Sequence, residues 1–306
     1  MTPARGTNSG EPAIQFETIA VIAPGDMGHA VGRALGGHGH SIVTALDGRS
    51  AASRQRAAAA GMTDLGTLDA VLAAADLILS ILPPAEAEGF AQTVAAAMTR
   101  TGTRPVFADC NAVAPATVER IAATIAAAGA GFVDASIVGP PPGIGAPPRF
   151  YVSGASAGDF AALDGKGIVV HVVGDAPGSA SAVKMCYAAL NKGRHALNTA
   201  VLLAAENIGV RDVLMPELAA SQAGALKQME GAIPWLAGNA GRWAGEMDEI
   251  ATTFAAAHVT PHFHQGAADI YRLLASTDLA AETRETADRS RTLDGAIAAF
   301  ARATGG

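Results

Sequence analysis

The stretch IAVIAPGDMGHAVGRAL, residues 19–35, decides the fold. An unbroken apolar run ends at Ala23, a Pro24-Gly25 turn follows, and the next residues place apolar side chains at helical spacing. A strand, a tight turn and a helix in that order form the opening unit of a parallel sheet with crossover helices. The turn reads A-x-G-x-x-G at Ala23, Gly25 and Gly28. Lacking a Cβ, Gly25 lets the backbone approach a pyrophosphate, and Gly28 lets the helix lie close on its strand. Amides at the start of that helix, from Asp26 onward, then face the anion. Ala23 stands where this fingerprint usually has its first glycine, a mild departure.

Outward from this unit the pattern repeats. Strands are predicted at 18–23, 41–46, 77–82, 105–110, 131–136, 149–154 and 168–173, with a shorter one near Met62 and Thr63. Alanine-rich helical stretches fill the gaps. Several strands are apolar without alternation, as expected of a sheet covered on both faces. After Gly174 no further strand is predicted. GDAPGSAS (174–181) stops one element, and Ser179 or Ser181 is suited to cap the next helix, predicted over about 180–207. The expected architecture is α/β: a Rossmann-type, doubly wound, mostly parallel sheet over 14–176, then an all-α domain over 177–306, with 1–13 as a flexible tail. A helix that long is expected to bury its apolar face against a second copy, giving a homodimer.

Composition narrows the function. Half the residues are apolar and 16% are charged, which is the balance of an ordered globular chain. The formal charge of −7 argues against a nucleic-acid partner. Two distant cysteines make neither a disulfide framework nor a metal pattern and point to a reducing compartment. The longest apolar stretches carry Asp76 and Ser80 and fall short of a membrane span, and the first dozen residues lack the apolar core of a secretory signal. A cytoplasmic protein with a small-molecule substrate is the expectation.

The cofactor's adenosine end is read after the second strand. Asp47 suits the ribose hydroxyls of NAD, while Arg49 and Ser50 suit the 2′-phosphate of NADP. Two anion-binding side chains at a helix start favour NADP, with NAD still open. Arg54 and Arg56 are read as a solvated helix face.

Several motifs in order resemble the β-hydroxyacid dehydrogenase family and its relative 6-phosphogluconate dehydrogenase. They are PGDMG (24–28), SILPPAEA (80–87), DCNAVAP (109–115), FVDASIVGPPPG (132–143) and GSASAVKMCYAALNKG (178–193). GRWAGEMDEIATTF (241–254) and HQGAADIY (264–271) resemble the subgroup with a C-terminal domain of unknown function. The resemblance implies that Leu82, Pro83 and Pro84 line the nicotinamide-ribose side, that Met27 packs near the ring, and that Asn111 serves cofactor and substrate. It implies Lys184 as the catalytic lysine.

Lys184 sits among Ala180, Ala182, Val183 and Met185, a setting in which an ammonium is costly to bury. The functional reading is a general acid and base at the substrate oxygen; the plain one is a lysine snorkelling from a helix edge. Tyr187 and Asn191 share its helix face by spacing and are substrate candidates, whereas Lys192 and Arg194 are placed on other faces. Two departures from the family pattern stand out: Ala188 replaces an asparagine four residues past the lysine, and Val138 replaces a serine of the substrate-carboxylate motif. Ser136 and Gly139 remain substrate candidates, Ser136 being expected to point away from the Val138 position. Farther on, Trp243, Glu246 and Glu249 lie at helical spacing, and Trp243 is a substrate candidate. His264 and Tyr271 are weaker ones. His262-x-His264 lacks the carboxylate support of a metal site, so no metal is expected. An NAD(P)-dependent oxidoreductase of the hydroxyacid type is the resulting expectation. An imine reductase and a non-catalytic cofactor sensor are its alternatives.

Overall fold

The computed structural model describes residues 16–283 and 286–304. The tail expected over 1–13 lies outside the described residues. Eight strands form one sheet: β1 (Thr18–Ile22), β2 (Ser41–Thr44), β3 (Thr63–Asp64), β4 (Leu77–Ser80), β5 (Val106–Asp109), β6 (Phe132–Val138), β7 (Arg149–Ser153) and β8 (Val169–Gly174). Their order is β3-β2-β1-β4-β5-β6-β7-β8. Pairing is parallel except between β6 and β7, where Ser136 faces Tyr151 in an antiparallel ladder. The helices between them are α1 (Asp26–Gly36), α2 (Ala51–Ala59), α3 (Leu68–Ala74), α4 (Pro84–Thr101), α5 (Pro115–Ala127) and α6 (Ala157–Phe160). The order in which strands are added reverses at β1, with β2 and β3 on one side and β4 and β5 on the other, which is where doubly wound sheets bind dinucleotides.

Burial explains the apolar strands. Ile19, Ala20, Val21, Leu77, Ile78 and Leu79 are fully enclosed, because helices cover both sheet faces. β6 is buried along its whole length and runs two residues beyond its predicted end. This corrects the placement of Ser136: strand alternation returns residues 134, 136 and 138 to one face, so Ser136 shares the side of Val138 instead of opposing it.

The helical region contains α7 (Ser179–Asn207), α8 (Arg211–Ser221), α9 (Ala223–Ala232), α10 (Ala237–Ala256), α11 (His262–Ala275) and α12 (Leu293–Ala303). Its core is formed by residues such as Met185, Leu202, Met247, Ile250, Tyr271 and Phe300. Compact packing divides the chain into one unit of residues up to 82, 89–110 and 120–180, and a second of 83–88, 111–119 and 181 onward. The helical unit thus takes in two short segments of the N-terminal half, which a single boundary after residue 176 does not describe. Glu249 is one reason: its Oε2 accepts the Ala114 amide at 2.6 Å and the Thr117 hydroxyl at 3.3 Å, at the start of α5. That is a helix-capping role.

The start of α7 is held from the sheet. Buried Asp134 Oδ2 accepts Ser153 Oγ at 3.1 Å and the Gly178 amide at 2.9 Å, and Ser153 Oγ in turn receives the Ala180 amide at 3.1 Å. The N-terminal orphan amides of the helix are therefore met by side chains distant in sequence.

Candidate functional site

The N-terminal site grows from the end of β1. Gly25 is the residue before α1 and has extended backbone angles. A Cβ on Gly28 would strike the carbonyl oxygen of Ala23, so glycine is required there by the protein itself. At Gly25 a Cβ would meet no protein atom within 4 Å. The space beside it is therefore left open for a group from outside the chain, and with extended backbone ahead of the α1 start the residues present fit a dinucleotide. The first-turn amides of α1 have no intrahelical acceptor and point the same way. Asp26 begins α1, exposed, with its carboxylate 3.4 Å from Arg56; Met27 packs on the sheet core. Leu82, Pro83 and Pro84 follow the end of β4, and buried Asn111 follows the end of β5. All of these stand at carboxyl ends of neighbouring strands.

Beyond β2, Ser50 Oγ caps α2 by accepting the Ser53 amide at 3.2 Å. Asp47 and half-buried Arg49 flank Gly48, whose φ of +73° makes the sharp turn. Arg54 does more than face solvent: it donates to the Leu46 carbonyl at 2.6 Å and lies 3.5 Å from Asp64, fastening the end of β2. Arg56 likewise has the Asp26 carboxylate as its partner.

In the helical unit, Lys184 is half-buried in the second turn of α7. Burial pushes its ammonium down to about 8, and the Lys192 charge adds to this; Glu246 opposes and Arg242 reinforces it. Lys192, expected from the sequence on a face other than that of Lys184, turns to the side of α7 that carries Met185, Ala188 and Ala189. Lys192 is buried, its Nζ forming a hydrogen-bonded ion pair with Glu246 Oε2 and lying 5.6 Å from the Trp243 ring centre. Glu246 Oε1 accepts Arg242 at 2.6 Å. Burial pushes the Glu246 carboxyl up, but Lys192 and Arg242 outweigh it, so the group is held ionised. The Tyr271 hydroxyl donates to the Lys192 carbonyl at 2.8 Å, and burial keeps that phenol neutral. Trp243 stacks on His195 and meets Tyr271 edge-on.

Tyr187 and Asn191 are both exposed, on the side of α7 away from Met185, Ala188, Ala189 and Lys192. Gly139, at a φ of +122°, has Pro148 Cα 3.3 Å from where its Cβ would be, so its glycine answers a backbone need. His262 is exposed on Gln265 while His264 is buried edge-on to Phe254, so the two rings point apart. Lys192, Arg242 and His195 are what sequence reading missed. The available signal was the four-residue spacing of Lys184, Ala188 and Lys192.

Residues 18–164 match the family described as the NAD binding domain of 6-phosphogluconate dehydrogenase, and residues 205–274 match a domain of unknown function, DUF1932. The N-terminal half is thus similar to the NAD-binding domain of that family. Among solved structures, the conserved protein MTH1747, of unknown function and described as similar to 3-hydroxyacid dehydrogenases, is 28% identical with a TM-score of 0.62, covering 84% of this chain and 96% of that one. The Mycobacterium tuberculosis 3-hydroxyisobutyrate dehydrogenase with L-serine shares the fold at 20% identity and a TM-score of 0.64, covering 93% and 99%. A Streptomyces aurantiacus imine reductase does so at 19% and 0.54, covering 92% and 98%. No curated protein matches the sequence. Among the described residues, no helix is long and apolar enough to cross a membrane, and no group of three or more His, Cys, Asp or Glu side chains is placed to hold a metal.

Proposed function

We propose that this NAD-binding protein is an NAD(P)-dependent oxidoreductase acting on a small hydroxy or carbonyl substrate of the hydroxyacid type, with Lys184 as general acid and base. What supports the reading is the match of residues 18–164 to an NAD-binding domain together with a lysine half-buried in the second turn of α7, where burial pushes its ammonium down to about 8. The nicotinamide, when bound, supplies or accepts the hydride. In oxidation Lys184 Nζ takes the substrate hydroxyl proton, and in reduction it returns a proton to the developing alkoxide. Oxidation needs the neutral amine, so its kcat/KM is expected to rise with pH through about 8. Reduction needs the ammonium and is expected to fall above the same pH. Profiles of residual activity in Lys184→Gln that keep both limbs would overturn the assignment.

For the cofactor we keep NADP, from Arg49 beside the α2 start, with NAD the alternative through Asp47. Charge-assisted hydrogen bonds contribute about 1.5–3 kcal/mol. Arg49→Ala is therefore expected to weaken NADPH about 10- to 100-fold and to leave NADH unchanged in a fluorescence titration. Tighter binding of NADH by the native protein reverses the choice. Imine reduction is the second reading, favoured by Val138 and Ala188 in place of the family's polar residues and opposed by the retained Lys184. A screen of NADPH oxidation against carbonyl and imine substrates separates the two.

We further propose a cytoplasmic homodimer through α7. Val183, Tyr187, Leu190, Leu197 and Val201 on α7, with Ile208 just past its end, recur at three-, four- and seven-residue steps and are 38–71% exposed, an apolar seam interrupted by exposed Arg194. A second copy of the same helix matches it by symmetry. Leu190→Asp with Leu197→Asp is expected to halve the mass seen in sedimentation equilibrium; a native protein that is already monomeric refutes the interface.

A further inference from the structure

We infer that Asp64 and Arg54 are positioning residues for the adenosine end of the cofactor: they lock the turn that carries Asp47 and Arg49, and so set the choice between a ribose 2′-hydroxyl and a 2′-phosphate. The inference rests on the cofactor reading proposed above. Residues 46–49 form a β-turn at the end of β2, with the Arg49 amide 3.0 Å from the Leu46 carbonyl and Gly48, at positive φ, in third place. Both ribose-reading candidates sit on it, Asp47 second and Arg49 fourth. The turn is held from two directions. Asp64 Oδ1, on the edge strand β3, accepts the Leu46 amide at 3.1 Å and the Gly66 amide at 2.9 Å. The Asp47 amide donates to the Gly66 carbonyl at 3.1 Å. From the first turn of α2, Arg54 donates to the Leu46 carbonyl at 2.6 Å, and its guanidinium lies 3.5 Å from Asp64 Oδ2.

The two oxygens of Asp64 thus act on the same residue by different routes. Oδ1 holds the Leu46 amide, and Oδ2 holds the arginine that braces the Leu46 carbonyl. The Leu46 side chain is itself buried in the sheet core, so the base of the turn is fixed at side chain, amide and carbonyl together. The Asp47 carboxylate lies 3.6 Å from where a Cβ on Gly66 would stand, which keeps it on the β3 side of the turn. This rigidity matters because the turn bears one negative and one positive side chain. A mobile turn presents either charge to the ribose and discriminates little; a locked one presents the same group each time. It also spares the cost of ordering the loop when the cofactor binds. Neither Asp64 nor Arg54 has to touch the ribose for this.

Two substitutions separate the brace from its charge. Asp64→Asn and Asp64→Ala both remove the negative charge, but the asparagine Oδ1 still accepts the Leu46 and Gly66 amides, whereas alanine accepts neither. NADPH and NADH dissociation constants are measured for the full chain by fluorescence titration, with melting curves beside them. Relative to Asp64→Asn, Asp64→Ala is expected to lose about tenfold in affinity for the cofactor the native protein prefers, the scale of a lost amide acceptor, and less than about threefold for the other. The ratio of the two constants therefore closes towards one. A merely structural lesion weakens both cofactors alike and leaves the ratio where it was. Equal ratios in the two variants overturn the inference, and so does a native ratio within about twofold of one, since a locked turn would then select nothing. Should Asp64→Ala fail to fold, Arg54→Met, at a half-exposed position, must close the ratio as well in about 1 M salt, where charges farther than about 3 Å are screened, and an unchanged ratio there overturns it too. Failure of the cofactor reading looks different: the native protein then binds neither cofactor. Binding with a clear preference and equal ratios in the Asp64 variants leaves that reading standing and removes the positioning role alone.

Discussion

Lys184→Ala is expected to lower kcat by about 10²- to 10⁴-fold, the range of a lost general acid or base, with cofactor affinity unchanged. The reason lies in where the residue stands. Lys184 belongs to the helical unit and is not part of the β1–α1 turn, so on the proposed role its loss removes proton transfer without touching the β1–α1 backbone. Because the proposed interaction is made with the reacting oxygen, kcat and kcat/KM are expected to fall together. Single-turnover oxidation of bound NADPH with a carbonyl substrate is the direct measurement. A parallel loss of NADPH binding would mean that Lys184 supports the cofactor and not the chemistry. Full activity in the variant would leave the protein a cofactor binder whose acid and base lie elsewhere.

Gly25→Ala and Gly28→Ala are expected to fail for different reasons, although both glycines belong to one motif. At Gly28 the added methyl meets the Ala23 carbonyl, a backbone atom that cannot rotate away. Strain of about 1–3 kcal/mol is the usual result of such overpacking, so the melting temperature is expected to drop along with cofactor affinity. At Gly25 the methyl meets no protein atom and the backbone angles are ordinary ones, so the fold is expected to keep its native melting temperature. The same methyl would stand where a pyrophosphate must approach, and NADPH and NADH affinity are both expected to fall by about tenfold or more, one lost close contact set. Calorimetry beside a fluorescence titration checks both halves. A Gly25→Ala variant that binds cofactor as tightly as the native protein would remove the turn from the cofactor site.

The sequence by itself determined the sheet and its ligand turn. Apolar runs such as TIAVI and LILS, bounded by turn residues and alternating with helical stretches, read as buried strands, and A-x-G-x-x-G after TIAVI marks where backbone is approached closely. These are local consequences of side-chain size and hydrophobic period, so they need no knowledge of distant residues. The half-burial of Lys184 was foreshadowed for a similar reason, since a lysine among small apolar neighbours is conspicuous. What tertiary structure alone decided is which groups far apart in the chain share a charge or a cap. Lys192 was set aside because helix spacing does not say that Glu246, 54 residues later, folds back to neutralise it. Glu249 caps α5, and Asp134 with Ser153 caps α7, through hydrogen bonds spanning 135, 44 and 27 residues. Ser136 moved to the side of Val138 once β6 proved continuous through both. Burial makes each of these partners obligatory, because an ion or amide removed from water has to find its counterpart inside the protein, and which counterpart is at hand is settled only when the helices pack.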